Sequence, residues 1–164
     1  KPLGLFTASN DGISTSRDKT MSGATAIEGD DLIDTKFELK EQYWQRARWL
    51  FHRNQLREIR KLKDNNGQYI WQPGLQAGQA DRILDLPYTL AEKAPSTMTA
   101  NDYIGILGDF SYYWIVEALD MEIQRLVELY AETNQTGFIG RMEVDAAPVL
   151  EEAFVRMKMG ESDE

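Results

Sequence analysis

The stretch Leu56-Arg57-Glu58-Ile59-Arg60-Lys61-Leu62-Lys63-Asp64-Asn65-Asn66-Gly67-Gln68-Tyr69-Ile70 decides the fold. Leu56, Ile59 and Leu62 recur at helical spacing, and Asn54 just before them is a candidate N-cap. Arg60, Lys61 and Lys63 crowd the last turn, where cations favour the helix dipole. Asp64-Asn65-Asn66-Gly67 then breaks the helix and turns the chain into a short strand over Gln68–Trp71. Before this unit, Ala47, Trp49 and Phe51 alternate with Arg46, Arg48, Leu50 and His52, the period of a half-buried strand.

Working outward, residues 7–30 are rich in Ser, Thr, Gly, Asp and Ala, show no period and read as a loop or short turns. Asp30 or Asp31 is the candidate cap of a first helix whose apolar face carries Leu32, Ile33, Phe37, Leu39, Tyr43 and Trp44. Past the turn the pattern becomes strands and loops. Gln72–Asp81 is a loop and Ile83–Leu90 an extended segment, with Pro87 marking an edge or a strand start. Glu92–Asn101 is a second loop. Tyr103–Leu107, Tyr112–Leu119, Met121–Tyr130 and Phe138–Val144 read as strands, and Ala153–Met159 as the last one. Helices and strands fall in separate blocks, which predicts an α+β fold with a largely antiparallel sheet.

Composition bounds the function. Leu, Ile, Val and Phe supply 38 of 164 residues, enough for one core, just above the roughly 20% level below which chains stay disordered. There is no Cys and a single His, His52, which removes disulfides, thiolate chemistry and His-pair metal sites. A Ser-His-Asp triad would have to run through His52, and no G-x-S-x-G elbow exists. His52 therefore reads as a strand histidine. Counting from Asp64, the twelfth residue is Leu75, so the Asp-Asn-Asn-Gly turn is no calcium loop. The pairs Asp30-Asp31 and Glu151-Glu152 diverge on any regular backbone and form no acid/base pair. Phosphate-cradling glycine motifs are missing, and no apolar run approaches the roughly 20 residues of a bilayer span. The chain opens on Lys1, not Met, and reads as processed or cut from a longer chain. No catalytic residue, cofactor or metal is expected.

The net charge of −9 argues against nucleic-acid backbone binding as the main task. Its distribution says more. Residues 41–63 hold seven basic and two acidic groups, whereas 117–164 hold twelve acidic and four basic ones. A basic patch on one copy meeting an acidic patch on another would be a heterologous contact, of the kind that closes rings.

Read in order, the segments resemble a known family. Pro2-Leu3-Gly4-Leu5, Asp31–Tyr43 followed by Ala47-Arg48-Trp49-Leu50-Phe51, the Leu56–Ile70 unit, Leu86-Pro87-Tyr88, Gly108-Asp109-Phe110-Ser111-Tyr112-Tyr113, and Arg141, Asp145, Ala153, Phe154 and Met157 fall where tailed-bacteriophage major capsid proteins of the Hong Kong phage type carry their motifs. Asp85 and Ala146 stand where that family usually has Gly.

The resemblance implies a structural protein of α+β fold, with an axial domain over 1–116 rejoined by 150–160 and part of a peripheral domain over 117–149. It implies that an N-terminal arm, an extended hairpin and a spine helix precede the chain. It also implies hexamers and pentamers of one subunit forming an icosahedral virion shell, which encloses DNA without binding it specifically and assembles in the bacterial cytoplasm. This fragment by itself is then a monomer. Arg46, Arg48, Arg53, Arg57 and Arg60 are the candidate inter-subunit contacts. Alternatives are an encapsulin-like nanocompartment shell and, more remotely, a small acidic hydrolase.

Overall fold

Trp49 and Phe51, the large residues of the alternating strand, are fully buried and organise the body. The computed structural model describes residues 1–64, 66–70, 82–126, 129 and 131–161. Their strand is β2 (Arg48–Phe51), at the heart of a six-stranded sheet with β1 (Asp18–Thr20), β3 (Arg82–Ile83), β4 (Leu86–Leu90), β5 (Tyr103–Gly108) and β8 (Phe154–Lys158). The order is β1-β8-β5-β2-β4-β3. The pairs β2–β5, β5–β8 and β3–β4 are antiparallel; β1–β8 and β2–β4 are parallel. The expected antiparallel sheet is thus mixed. A parallel neighbour needs a long crossover, and the chain between Phe51 and Leu86 supplies one for β2–β4.

Two helices pack on this body. The first, α1, spans Gly29–Glu38 and is capped by Glu28, not by Asp30 or Asp31. Asp31 is the third helical residue and closes a capping box, its carboxylate accepting from the Glu28 backbone N–H at 3.1 Å. The same carboxylate accepts from Ser22 backbone and hydroxyl at 2.9 and 3.0 Å, so it ties the preceding loop to the helix. The helix stops at Glu38, and Tyr43 and Trp44 fall in and just after a separate turn at Glu41–Tyr43.

The second helix, α2, spans Arg53–Arg60. Its N-cap is His52, whose Nδ1 accepts from Asn54 N–H at 3.2 Å; Asn54 itself lies inside the helix. The turn after it forms as read, with Asp64 Oδ1 accepting from Asn66 and Gln68 N–H, both at 2.9 Å. Beyond it only an isolated bridge, Lys63 to Tyr69, takes the place of the expected Gln68–Trp71 strand. Trp71 and the Gln72–Asp81 loop lie outside the described residues, as do most of 127–130 and the last three residues.

The Ile83–Leu90 segment is a tight hairpin, β3 to β4, with Leu84 and Asp85 at φ of 49° and 67°. Two successive positive φ values are the mark of a primed hairpin turn. Asp85 fits this turn because Asp tolerates the left-handed conformation better than most residues.

Residues 7–30, read as loop, contain β1. It was invisible because it is three residues long and rests on a buried pair rather than on its own hydrophobic pattern. Arg156 of β8 is fully buried, its Nε 2.6 Å from Asp18 Oδ1, and its Nη2 donates to Ser14 C=O at 2.9 Å. The guanidinium lies 4.7 Å from the centre of the Tyr103 ring, whose hydroxyl donates to Asp18 Oδ2 at 2.8 Å. Burial, with the hydrogen bond to Asp18 second, pushes the Tyr103 phenol above its ordinary value.

The second sheet is a two-stranded ribbon of β6 (Tyr113–Leu126) and β7 (Gly137–Pro148), antiparallel, with register shifts at Glu117/Leu119 and Leu119/Glu122. The separate strands expected over 112–119 and 121–130 are one continuous strand that the bulges make irregular. At about 3.3 Å per residue it reaches about 46 Å.

Truncating one member of the buried pair tests its role. Asp18→Ala leaves a guanidinium uncompensated and is expected to cost about 3–5 kcal/mol in urea unfolding, whereas an Arg156→Met, Asp18→Leu double variant is expected to recover most of that loss.

Candidate assembly surface

The arginine run is not one patch. Arg48 sits opposite Gly108, at the end of the sheet where the chain leaves for the ribbon, and Arg46 precedes it. Arg53 follows Phe51 and His52 at the opposite end. Arg46 and Arg48 are exposed and make no ion pair among the described residues. Arg53 Nε lies 3.6 Å from Glu92 Oε1, Arg57 Nε donates to Glu58 Oε1 at 2.9 Å, and Arg60 Nη2 donates to the Tyr88 hydroxyl at 2.9 Å. Glu58 also accepts from Lys61 Nζ at 3.0 Å. Lys61 first, and Arg57 after it, hold the Glu58 carboxyl below its ordinary value. The structure brings Arg53, Arg57 and Arg60 together on α2 and leaves Arg46 and Arg48 about 10 Å or more away along the strand.

The ribbon is the larger surface. Side chains alternate between faces along β7, and directly paired residues share a face. One face holds Pro148, Ala146, Val144, Met142, Gly140 and Phe138, opposite Tyr113, Ile115, Glu117, Ile123 and Arg125 on β6. Its foot is covered by the chain start: Leu3 N–H donates to Ala146 C=O at 2.6 Å, and the Tyr113 hydroxyl donates to Leu3 C=O at 3.0 Å. Beyond the foot nothing among the described residues covers it. Phe138 and Met121 are 67% and 66% exposed, and Ile115, Ile123 and Met142 are exposed beside them. The opposite face carries Asp145, Glu143, Arg141, Glu122 and Gln124, interrupted by Trp114, Val116 and Ile139. Two strands alone are marginal in water, and an apolar stripe of this length marks a contact surface. The sequence reads these segments as strands without showing which face is covered. The available signal was apolar alternation over 113–126 and 137–148, hidden in β6 by the bulges that shift its period.

The other candidates resolve as structural groups. His52 is buried, its Nε2 3.3 Å from Glu92 Oε2, and it caps α2. Asp31 closes the capping box while Asp30 is exposed. Glu151 accepts from Ser14 N–H at 3.2 Å, whereas Glu152 pairs with Lys40 at 2.7 Å. The Ser14 hydrogen bonds hold Glu151 below the ordinary carboxylate value. Among the described residues no cluster of three or more His, Asp or Glu could hold a metal. No described helix is long and apolar enough to cross a membrane.

A mixed-sheet body carrying a long ribbon with an uncovered apolar face defines a structural protein whose surfaces are made for contact. The model of the phage capsid family matches residues 1–159, and the chain belongs to that family. The capsid of an empty GTA particle, computed with C5 symmetry, has the same fold at TM-score 0.77 and 23% identity over 98% of this chain and 57% of that one. The capsid of the native GTA particle gives TM-score 0.77 and 23% identity over 97% of this chain and 56% of that one. A chain from Gordonia phage Cozz gives TM-score 0.59 and 14% identity over 99% of this chain and 55% of that one. The chain spans just over half the length of these solved relatives. No curated protein matches it.

The ion pairs of Glu58 have a pH signature. Its depressed value means that stabilisation is present at neutral pH and lost as pH falls through and below the ordinary value of 4.5. In urea unfolding, wild type is expected to exceed Glu58→Gln slightly at pH 7 and to match it near pH 3.

Proposed function

We propose that this chain is part of a major capsid subunit that self-assembles, as hexamers and pentamers, into an icosahedral head enclosing a DNA genome. Assembly takes place in the bacterial cytoplasm and the product is the virion shell. The axial domain comprises residues 1–116 with 150–160, and 117–149 belong to the peripheral domain. What supports this division is that the six-stranded sheet draws its strands from 18–108 and 154–158, while among the described residues β6 and β7 form a separate two-stranded sheet. Arg46, Arg48, Arg53, Arg57 and Arg60 include contacts between copies, and the protein carries out no catalysis.

The observation that carries the reading is the apolar stripe of the ribbon. Burying one such side chain is worth about 1.5–3 kcal/mol, so five of them left in water favour association by several kcal/mol per subunit. The net negative charge fits a shell that surrounds nucleic acid without adhering to it.

Electron microscopy of the expressed full-length gene product tests the reading. Closed shells of hexameric and pentameric capsomers are expected; a soluble monomer under all assembly conditions would contradict it. Shells packed with a protein cargo instead of DNA would shift the reading to a nanocompartment. Met121→Ser, Ile123→Thr and Phe138→Ser combined are expected to lower shell yield at least tenfold.

A further inference from the structure

Both helices carry charge rows of equal length and opposite sign. On α2 and its C-cap, Arg53, Arg57 and Lys61 fall at i, i+4 and i+8, which places them on one face over about 12 Å. On α1, Asp30, Asp34 and Glu38 have the same spacing and the same length. The side chains of Arg53, Arg57 and Lys61 are 69%, 65% and 57% exposed. Residues 53–61 hold four basic groups against Glu58, a net +3, and residues 29–38 hold four acids against Lys36, a net −3.

The rows do not meet within one copy: among the described residues no ion pair joins α1 to α2. The α1 row lies on the flank of the edge strand β1, where Asp34 pairs with Lys19 at 2.9 Å. Arg57 and Lys61 of the α2 row line a groove of about 500 Å³ whose walls include Ala26, Ile27, Ser96 and Met98. Beside the acidic row, α1 exposes Ile33 and Phe37, an apolar pair one step round the helix. The complementary groove offers apolar wall at Ile27, Leu62 and Met98.

We propose that the acidic face of α1 on one copy docks on the basic face of α2 on the next, a heterologous contact that propagates around a ring of copies. This rests on the reading of the chain as a self-assembling shell subunit and names the partner of its basic surface. Antiparallel docking sets Asp30 against Lys61, Asp34 against Arg57 and Glu38 against Arg53. It also places the acids near the N-terminus of α1 beside the C-terminal end of α2, where both helix dipoles favour the pairing. The internal partners, Glu58, Glu92 and Lys19, are surface groups, and exposed pairs of that kind are weak enough to exchange. Long-range attraction between faces of opposite charge also steers encounter and selects register.

The test uses the full-length gene product in two charge-reversed forms, one carrying Arg53→Glu and Arg57→Glu, the other Asp34→Lys and Glu38→Lys. Each form alone is expected to give less than a tenth of the wild-type shell and capsomer yield in negative-stain counts. A mixture of the two is expected to recover at least half of the wild-type capsomers, because alternating copies restore every contact around an even ring. A protein with all four changes is expected to recover likewise. Rescue also shows that each form folds. Wild-type yield from either form alone overturns the pairing, as does failure of both the mixture and the fourfold variant while wild type assembles. A wild-type protein that forms neither capsomers nor shells overturns the shell reading itself, and this inference with it.

Discussion

Strand β8, next to the edge strand, carries a fully buried guanidinium, and the body is built around pairing it. Arg156 is fully buried, and its partners come from segments far away in sequence: Asp18 from the edge strand, Ser14 from the loop before it and Tyr103 from the neighbouring strand. An unpaired charge at that depth is untenable, so the first twenty residues cannot stay loose while the last strand is in place. The pair contributes less net stability than its short contacts suggest, because both charges lose their water. Its effect is on specificity, fixing which segment pairs along the outer side of β8 and in which direction.

The body buries its large side chains around Trp49, Phe51, Phe154 and Met157. The ribbon does the reverse. It leaves the body at Tyr113, runs out for about 46 Å and keeps its apolar face uncovered past the foot that Leu3 protects. The body covers most of its own apolar side chains, whereas the ribbon leaves its stripe exposed among the described residues.

Much of this was legible in the sequence where a local period and a local signal agreed. Ala47, Trp49 and Phe51 gave β2, and the Leu56, Ile59, Leu62 spacing with the Asp-Asn-Asn-Gly turn gave α2 and its end. The caps were misassigned to Asn54 and to Asp30 or Asp31. Here His52 and Glu28, residues seldom ranked first at that position, take the role because their side chains are held in reach. Strand β1 could not be read because a distant arginine dictates it. The five arginines looked like one cluster because they are close in sequence, yet a strand separates the first two from the rest. The ribbon's stripe was legible as strand but not as uncovered, since pattern reports which residues are apolar and not whether anything within the chain covers them.

Hydroxyl-radical footprinting of the methionines addresses the central claim, that the ribbon's apolar face is covered in the assembled shell. Met121 and Met142 lie on or beside that stripe and are exposed, whereas Met157 and Met159 are fully buried in the body and serve as internal controls. Oxidation of Met121 and Met142 is expected to fall at least tenfold in assembled full-length particles relative to the isolated 164-residue chain, with the controls unchanged. Equal oxidation in the two states would contradict the account.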